Sequence, residues 1–320
     1  MISKILGKKD KIIDTFIKLN GKSELSRLNR KRNSELDAYA KGLITGNGRE
    51  TLKAARRTIL IEDAIRYEEH RCIINEIIKA ASEEDIATKE IVSMIVSNEE
   101  FFTKLDEKYE ARVVDYVNAF NETSGKKISL DRVLTSLNNV KVNIMNEANV
   151  TSRDEAGRTD VSGLGDGEGV IKNIWDEINV FTAPKSRRDN QSILNHELTH
   201  VAFYDYGYEE SSTTKGFVSI NSIRNGKPVQ VNRNEEELIV DDYTRKIDAF
   251  LGIEHHESDN MSKYVSSQVG GIIDKIEPWD DSKTNAKNVR NLKEASEAAK
   301  ENYWKNVMFN MDNGKNPFEF

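Results

Sequence analysis

No proline interrupts the first 183 residues of this chain: Pro184, Pro228, Pro278 and Pro317 all lie beyond them. Proline removes a backbone donor and breaks helices, and glycine weakens them. Only six of the 18 glycines precede residue 151. The first half can therefore form long helices, and its apolar residues recur at helical spacing in Ile2/Ile5/Leu6, Ile59/Ile61/Ile65, Ile73/Ile77/Ile78 and Val113/Val114/Val117/Phe120. Breaks are expected at Gly46-Asn47-Gly48, at Ser82-Glu83-Glu84-Asp85 and at Thr123-Ser124-Gly125. Residues 1–150 read as a helical module of about four to six helices.

With 320 residues, 37% of them hydrophobic, the chain is long enough to bury a sizeable core. Its 47 basic and 54 acidic residues give a net charge of −7, which speaks against a surface built to grip nucleic acid. The first 48 residues hold 11 Lys/Arg against 5 Asp/Glu, leaving 36 against 49 in the remainder. The basic run Arg27-Leu28-Asn29-Arg30-Lys31-Arg32 reads first as a solvated helix face and second as a contact for an acidic partner. The single cysteine, Cys72, permits no intramolecular disulfide, and its aliphatic neighbours mark it as a packed thiol. No secretory signal or membrane span is evident, so a cytoplasmic location or a non-classical route of delivery is expected.

The texture changes at 151–170, TSRDEAGRTDVSGLGDGEGV, where glycine and charge replace periodicity. Its acidic glycines lack the register of a calcium loop, because Gly163 and Leu164 stand where ligands should fall. Residues 177–183 are β-branched and aromatic and read as a strand closed by Pro184. After a polar loop, Asp189 or Asn190 can cap a helix carrying Ile193, Leu194, Val201 and Ala202.

That helix carries His196-Glu197-Leu198-Thr199-His200. Four residues turn an α-helix by about 400°, so the two imidazoles point the same way and can share one ion. Glu197 is rotated by about 100° from His196, beside such an ion rather than on it. A zinc-bound water has a pKa of about 7, and a carboxylate within reach can take its proton as general base. The apolar flanks bury the helix, and a buried imidazole needs a partner. The third ligand is sought on the next acidic helix, 232–252, where Glu237 or Glu236 sits one turn before Val240. Asp241, a turn after Glu237, is placed to hold a ligating imidazole. The same acidic first turn is also what an ordinary capped helix shows.

His196-Glu197-Leu198-Thr199-His200 resembles the zinc helix of the gluzincin metallopeptidases, thermolysin-like enzymes among them. Gly207-Tyr208 and the segment from Asn234 to Tyr243 are similar to anthrax lethal factor-type catalytic domains. The match covers about a fifth of the chain, residues 190–251. The resemblance implies Zn2+ held by His196, His200 and Glu237, with Glu197 as general base, Asp241 as supporting acid and a protein or peptide as substrate. It implies an α+β fold, mainly α: the helical module, then a zincin-like domain at 151–278 with a small mixed sheet, an active-site helix and a glutamate helix. A C-terminal helix near 286–310 and a tail would occupy 279–320. The Ile178–Thr182 strand would offer a sheet edge to substrate. Lethal factor-type domains carry a tyrosine just before the third ligand, and none lies between Tyr208 and Tyr243 here. The transition-state donor is left among His255, His256, Tyr208 and Tyr264, while His70 reads as structural. The competing reading is a structural or assembly protein, a particle or scaffold component with a non-catalytic zincin-like fold. A toxin or effector delivered into another cell would share the peptidase chemistry.

Overall fold

The computed structural model describes residues 1–19, 23–102, 107–138, 140–146, 157–160, 163–165, 170–172, 176–182, 190–203, 217–220, 229–255, 260–277 and 282–319, with backbone alone within 107–108, 141–190 and 217–234. Seven helices come first: α1 (Ile2–Leu6), α2 (Lys9–Leu19), α3 (Glu24–Thr45), α4 (Gly48–Glu83), α5 (Thr88–Val96), α6 (Glu107–Thr123) and α7 (Leu130–Leu137). Their ends follow local chemistry. Gly46 closes α3 in the left-handed region at φ 67°, and the Asn47 side chain caps α4 by accepting from the Glu50 amide at 3.3 Å. Asp85 takes φ 55° just after α4, and Gly125 takes φ 63° just after α6.

The α3–α4 hairpin is tight because Gly42 has no side chain. A Cβ on Gly42 would lie 2.5 Å from Thr51 Oγ1, 3.1 Å from its amide nitrogen and 3.2 Å from its Cα. The hydroxyl could swing away, but the backbone of α4 could not. Gly42→Ala is expected to cost about 1–3 kcal/mol despite alanine's better helix propensity. Urea unfolding monitored by far-UV circular dichroism tests this, and a variant as stable as the wild type would show that the two helices can part without loss.

Four further helices complete the framework: α8 (Asn190–Phe203), α9 (Arg233–Leu251), α10 (Asn260–Ile273) and α11 (Lys283–Asp312). Among residues placed with their side chains about 82% are helical and only Val140 belongs to a strand, so the framework those side chains build is all-α. This corrects the expected α+β class with its mixed sheet. The physical reason is that the buried aromatic and aliphatic side chains meet between helices. Phe120 of α6 stacks on Tyr243 of α9 and meets Phe203 of α8 edge-on, both at 5.9 Å between ring centroids, and Phe203 meets Tyr243 at 5.0 Å. One buried cluster runs from Ile74 on α4 through Val117, Leu198, Ile239 and Val269 to Leu292 on α11. Each such side chain, fully buried, contributes about 1.5–3 kcal/mol.

Between these helices the backbone forms short ladders. β5 (Asp176–Thr182) runs parallel to β1 (Val140–Asn146) and antiparallel to β2 (Gly157–Asp160). β3 (Gly163–Gly165) pairs with β4 (Val170–Lys172), and β6 (Phe217–Ile220) with β7 (Val229–Asn232). β5 is thus the middle strand, with residues 177–180 paired on both sides. The expectation that it offers a sheet edge to substrate is corrected, since strand addition needs unpaired amides and carbonyls. No described helix is long and apolar enough to cross a membrane.

Candidate metal centre

α8 and α9 meet through polar stripes. On α9, Glu237, Asp241, Thr244 and Asp248 stand at i, i+4, i+7 and i+11, which is one line along a helix. On α8, Ser192, Asn195, His196 and Thr199 form the facing line. At the α9 N-terminal end the stripes bring three ligand atoms together. His196 Nε2 lies 3.2 Å from His200 Nε2 and 3.3 Å from Glu237 Oε2, and His200 Nε2 lies 3.5 Å from Glu237 Oε2. A tetrahedral ion with bonds of about 2.0–2.1 Å keeps its ligand atoms about 3.3–3.4 Å apart, so the triangle has the size that zinc requires. Among the described residues these three form the one cluster able to hold a metal.

The environment is graded. The His200 side chain is 11% exposed, whereas those of His196 and Glu237 are 27% and 44% exposed, so the cluster opens to solvent on one side. Burial alone would lower the His200 imidazole, but hydrogen bonds to Glu236 and Glu237 and the charges of Glu237 and Glu197 push it up to about 10. Burial would raise the Glu237 carboxyl, and the two imidazoles instead hold it far below the usual carboxylate range. Glu197, next along α8 from His196, is 6% exposed and close enough for its charge to act on His200.

The supporting carboxylate is not the one expected. Glu236 Oε1 lies 3.2 Å from His200 Nδ1, the nitrogen that faces away from the cluster, and so fixes that ring. The two glutamates divide accordingly: a Glu237 oxygen lies with the two imidazole nitrogens and Glu236 stands behind His200. Asp241 instead accepts from His255 Nε2 at 3.1 Å, from Arg245 at 2.7 Å and from Ser266 at 3.4 Å, which corrects its assignment to a ligating imidazole. His255 Nδ1 in turn lies 2.8 Å from Asp248, itself 0% exposed, which also accepts from Ser192 Oγ at 2.6 Å and Asn195 Nδ2 at 2.7 Å. Asp248 therefore straps the end of α9 to the turn of α8 that precedes His196, and His255, just past α9, holds that carboxylate and Asp241 in place. Both its ring nitrogens are engaged, which removes it as transition-state donor.

Other candidates fall elsewhere. Tyr264 turns toward α11, with its ring on Tyr303 and its hydroxyl 3.5 Å from Asn306. His256 and Tyr208 lie outside the described residues. His70 packs edge-on against Phe101 and accepts from Asn138 at 2.8 Å, a structural role. Cys72 is partly buried on α4, and burial pushes its thiol up to about 12, unsuited to nucleophilic work.

The strap carries a pH signature. Burial would lower the His255 imidazole, yet hydrogen bonds to Asp241 and Asp248 and their charges push it up to about 9. In the unfolded chain it titrates near 6.5. The folded state thus keeps a proton that the unfolded state releases, so its stabilisation is complete below about pH 6.5 and is lost as the pH rises through about 9. Between pH 6.5 and 9.5 the wild type should lose about 2–3 kcal/mol more stability than His255→Gln in denaturant melts. Equal losses in the two proteins would show that the strap is uncharged.

No family model, no curated protein and no solved structure matches the chain.

Proposed function

We propose that the chain is a zinc-dependent metallopeptidase of the gluzincin kind, with His196, His200 and Glu237 as ligands and Glu197 as general base. The observation that carries the reading is the 3.2–3.5 Å triangle of two imidazole nitrogens and one carboxylate oxygen with a buried glutamate next to it in sequence. Three protein ligands on an ion that prefers four leave one place for solvent, the pattern of catalytic rather than structural zinc. Zinc bound there supplies a Lewis acid that polarises a carbonyl and lowers the pKa of water to about 7.

The chain's own residues do the rest. His200, held by Glu236, keeps its Nε2 aimed at the cluster, and the exposed sides of His196 and Glu237 leave a way in for a peptide carbonyl. Glu197 takes the proton of the attacking water at its carboxylate and can pass it to the departing amine. This accounts for the glutamate as well as the histidines, which a zinc brace in a scaffold protein would not require.

Chelation is the direct test. Treated with a chelator, the full chain should lose one zinc per molecule and its ability to cleave a broad peptide library read by mass spectrometry, and stoichiometric zinc should restore both. A zinc-loaded chain that cleaves no member of the library would instead favour the scaffold reading.

A further inference from the structure

α2 carries two apolar stripes. Ile13 and Ile17 pack onto the core, while Ile12, Phe16 and Leu19, at i, i+4 and i+7, line a cavity of about 420 Å³ whose opposite wall is α4. Its size lies within the range of about 300–1,000 Å³ typical of small-molecule sites. Lys8, Lys11 and Lys79 stand around it against a single acid, Glu76. None of the three lysines is held in an ion pair among the described residues. An apolar wall under an uncompensated cationic rim has one chemical complement, a molecule with a hydrocarbon body and an anionic end.

We propose that this cavity binds one single-chain anionic amphiphile, a carboxylate with an unbranched tail, its head among Lys8, Lys11 and Lys79 and its tail along Ile12, Phe16 and Leu19. A peptide fits the wall poorly. Thr15, its one neutral polar side chain, already donates its hydroxyl to the Lys11 carbonyl at 2.6 Å. The other polar groups are the charged ends of Lys8, Lys11, Lys79 and Glu76, so peptide amides laid along Ile12, Phe16 and Leu19 would be poorly matched, whereas a hydrocarbon tail needs no partner there. A bilayer fits less well, because Ile12 and Phe16 are half-buried and only Leu19, 77% exposed, stands out far enough to enter a membrane. None of the lining residues belongs to the His196, His200 and Glu237 cluster, so the site stands whether or not the chain cleaves peptides.

Calorimetric titration of the intact chain with decanoate, below its micelle concentration, tests the proposal beside decyltrimethylammonium as the cationic counterpart. Decanoate should bind saturably at one site per chain, and the cation should bind at least about tenfold more weakly. The triple variant Lys8→Glu, Lys11→Glu and Lys79→Glu, all on exposed positions, should lose decanoate by a similar factor and gain the cation, with an unchanged circular dichroism spectrum. Phe16→Ser should weaken both ligands. Failure of the wild type to bind decanoate saturably, equal binding of the two ions, or decanoate binding that survives charge reversal would each overturn it. So would binding to phosphatidylglycerol vesicles without binding of free decanoate, which would make the patch a membrane contact.

Discussion

With Glu197 replaced by glutamine, the chain should keep one zinc per molecule and lose the proposed peptide cleavage by about 10²–10⁴-fold, the usual weight of a general base. Glutamine preserves the shape of the side chain but cannot accept a proton. Metal is retained because the three converging ligand atoms come from His196, His200 and Glu237, and Glu197 is not among them. The variant is read by metal content and by cleavage rate on one peptide that the wild type cuts. Full activity in Glu197→Gln would remove the proposed base. Loss of zinc would make Glu197 a ligand and reassign the site.

Asp248→Ala should destabilise the chain by about 3–5 kcal/mol, the usual cost of stripping one partner from a buried charged network. Asp248 has no exposure and accepts from Ser192, Asn195 and His255 together. Alanine leaves all three donors buried without it, and the strap between α8 and α9 goes slack. Zinc affinity should fall with stability, because Ser192 and Asn195 set the turn that carries His196. Asp248→Asn, which can still accept from part of the set, should lose less of both. Urea melts and zinc competition titrations measure the two effects. An Asp248→Ala chain within about 1 kcal/mol of the wild type would show that the buried carboxylate does not hold the helices together.

The helical punctuation was legible because local residues dictate it. Gly46 and Asn47 end one helix and cap the next through their own φ angle and side chain, whatever packs around them. The pairing of His196 with His200 was legible for the same reason, since both sit on one turn of one helix. What lies between helices was not. Asp241 has the spacing of a supporting acid, but spacing along α9 does not reveal that His255, fourteen residues on, claims it, nor that Glu236 turns back to His200. The polar residues at 237, 241, 244 and 248, aligned along one face of the helix, were the available signal for a buried polar seam. The fold class failed for a related reason: residues 177–182 have strand chemistry and do pair with neighbouring backbone, but the buried core is a product of which long aliphatic surfaces meet, and those are helical.

Tyr116 of α6 donates its hydroxyl to Thr199 on α8 at 3.1 Å, and Phe120, one turn on, is wedged between Phe203 and Tyr243. The centre therefore has no independent existence as a fragment. A clone trimmed to the sequence from 150 onward would leave Phe203 and Tyr243 facing water where Phe120 had packed, and the product should precipitate or stay molten however much zinc is supplied. Whatever selects the His196, His200 and Glu237 cluster must at the same time preserve Phe120, far upstream of it in the sequence.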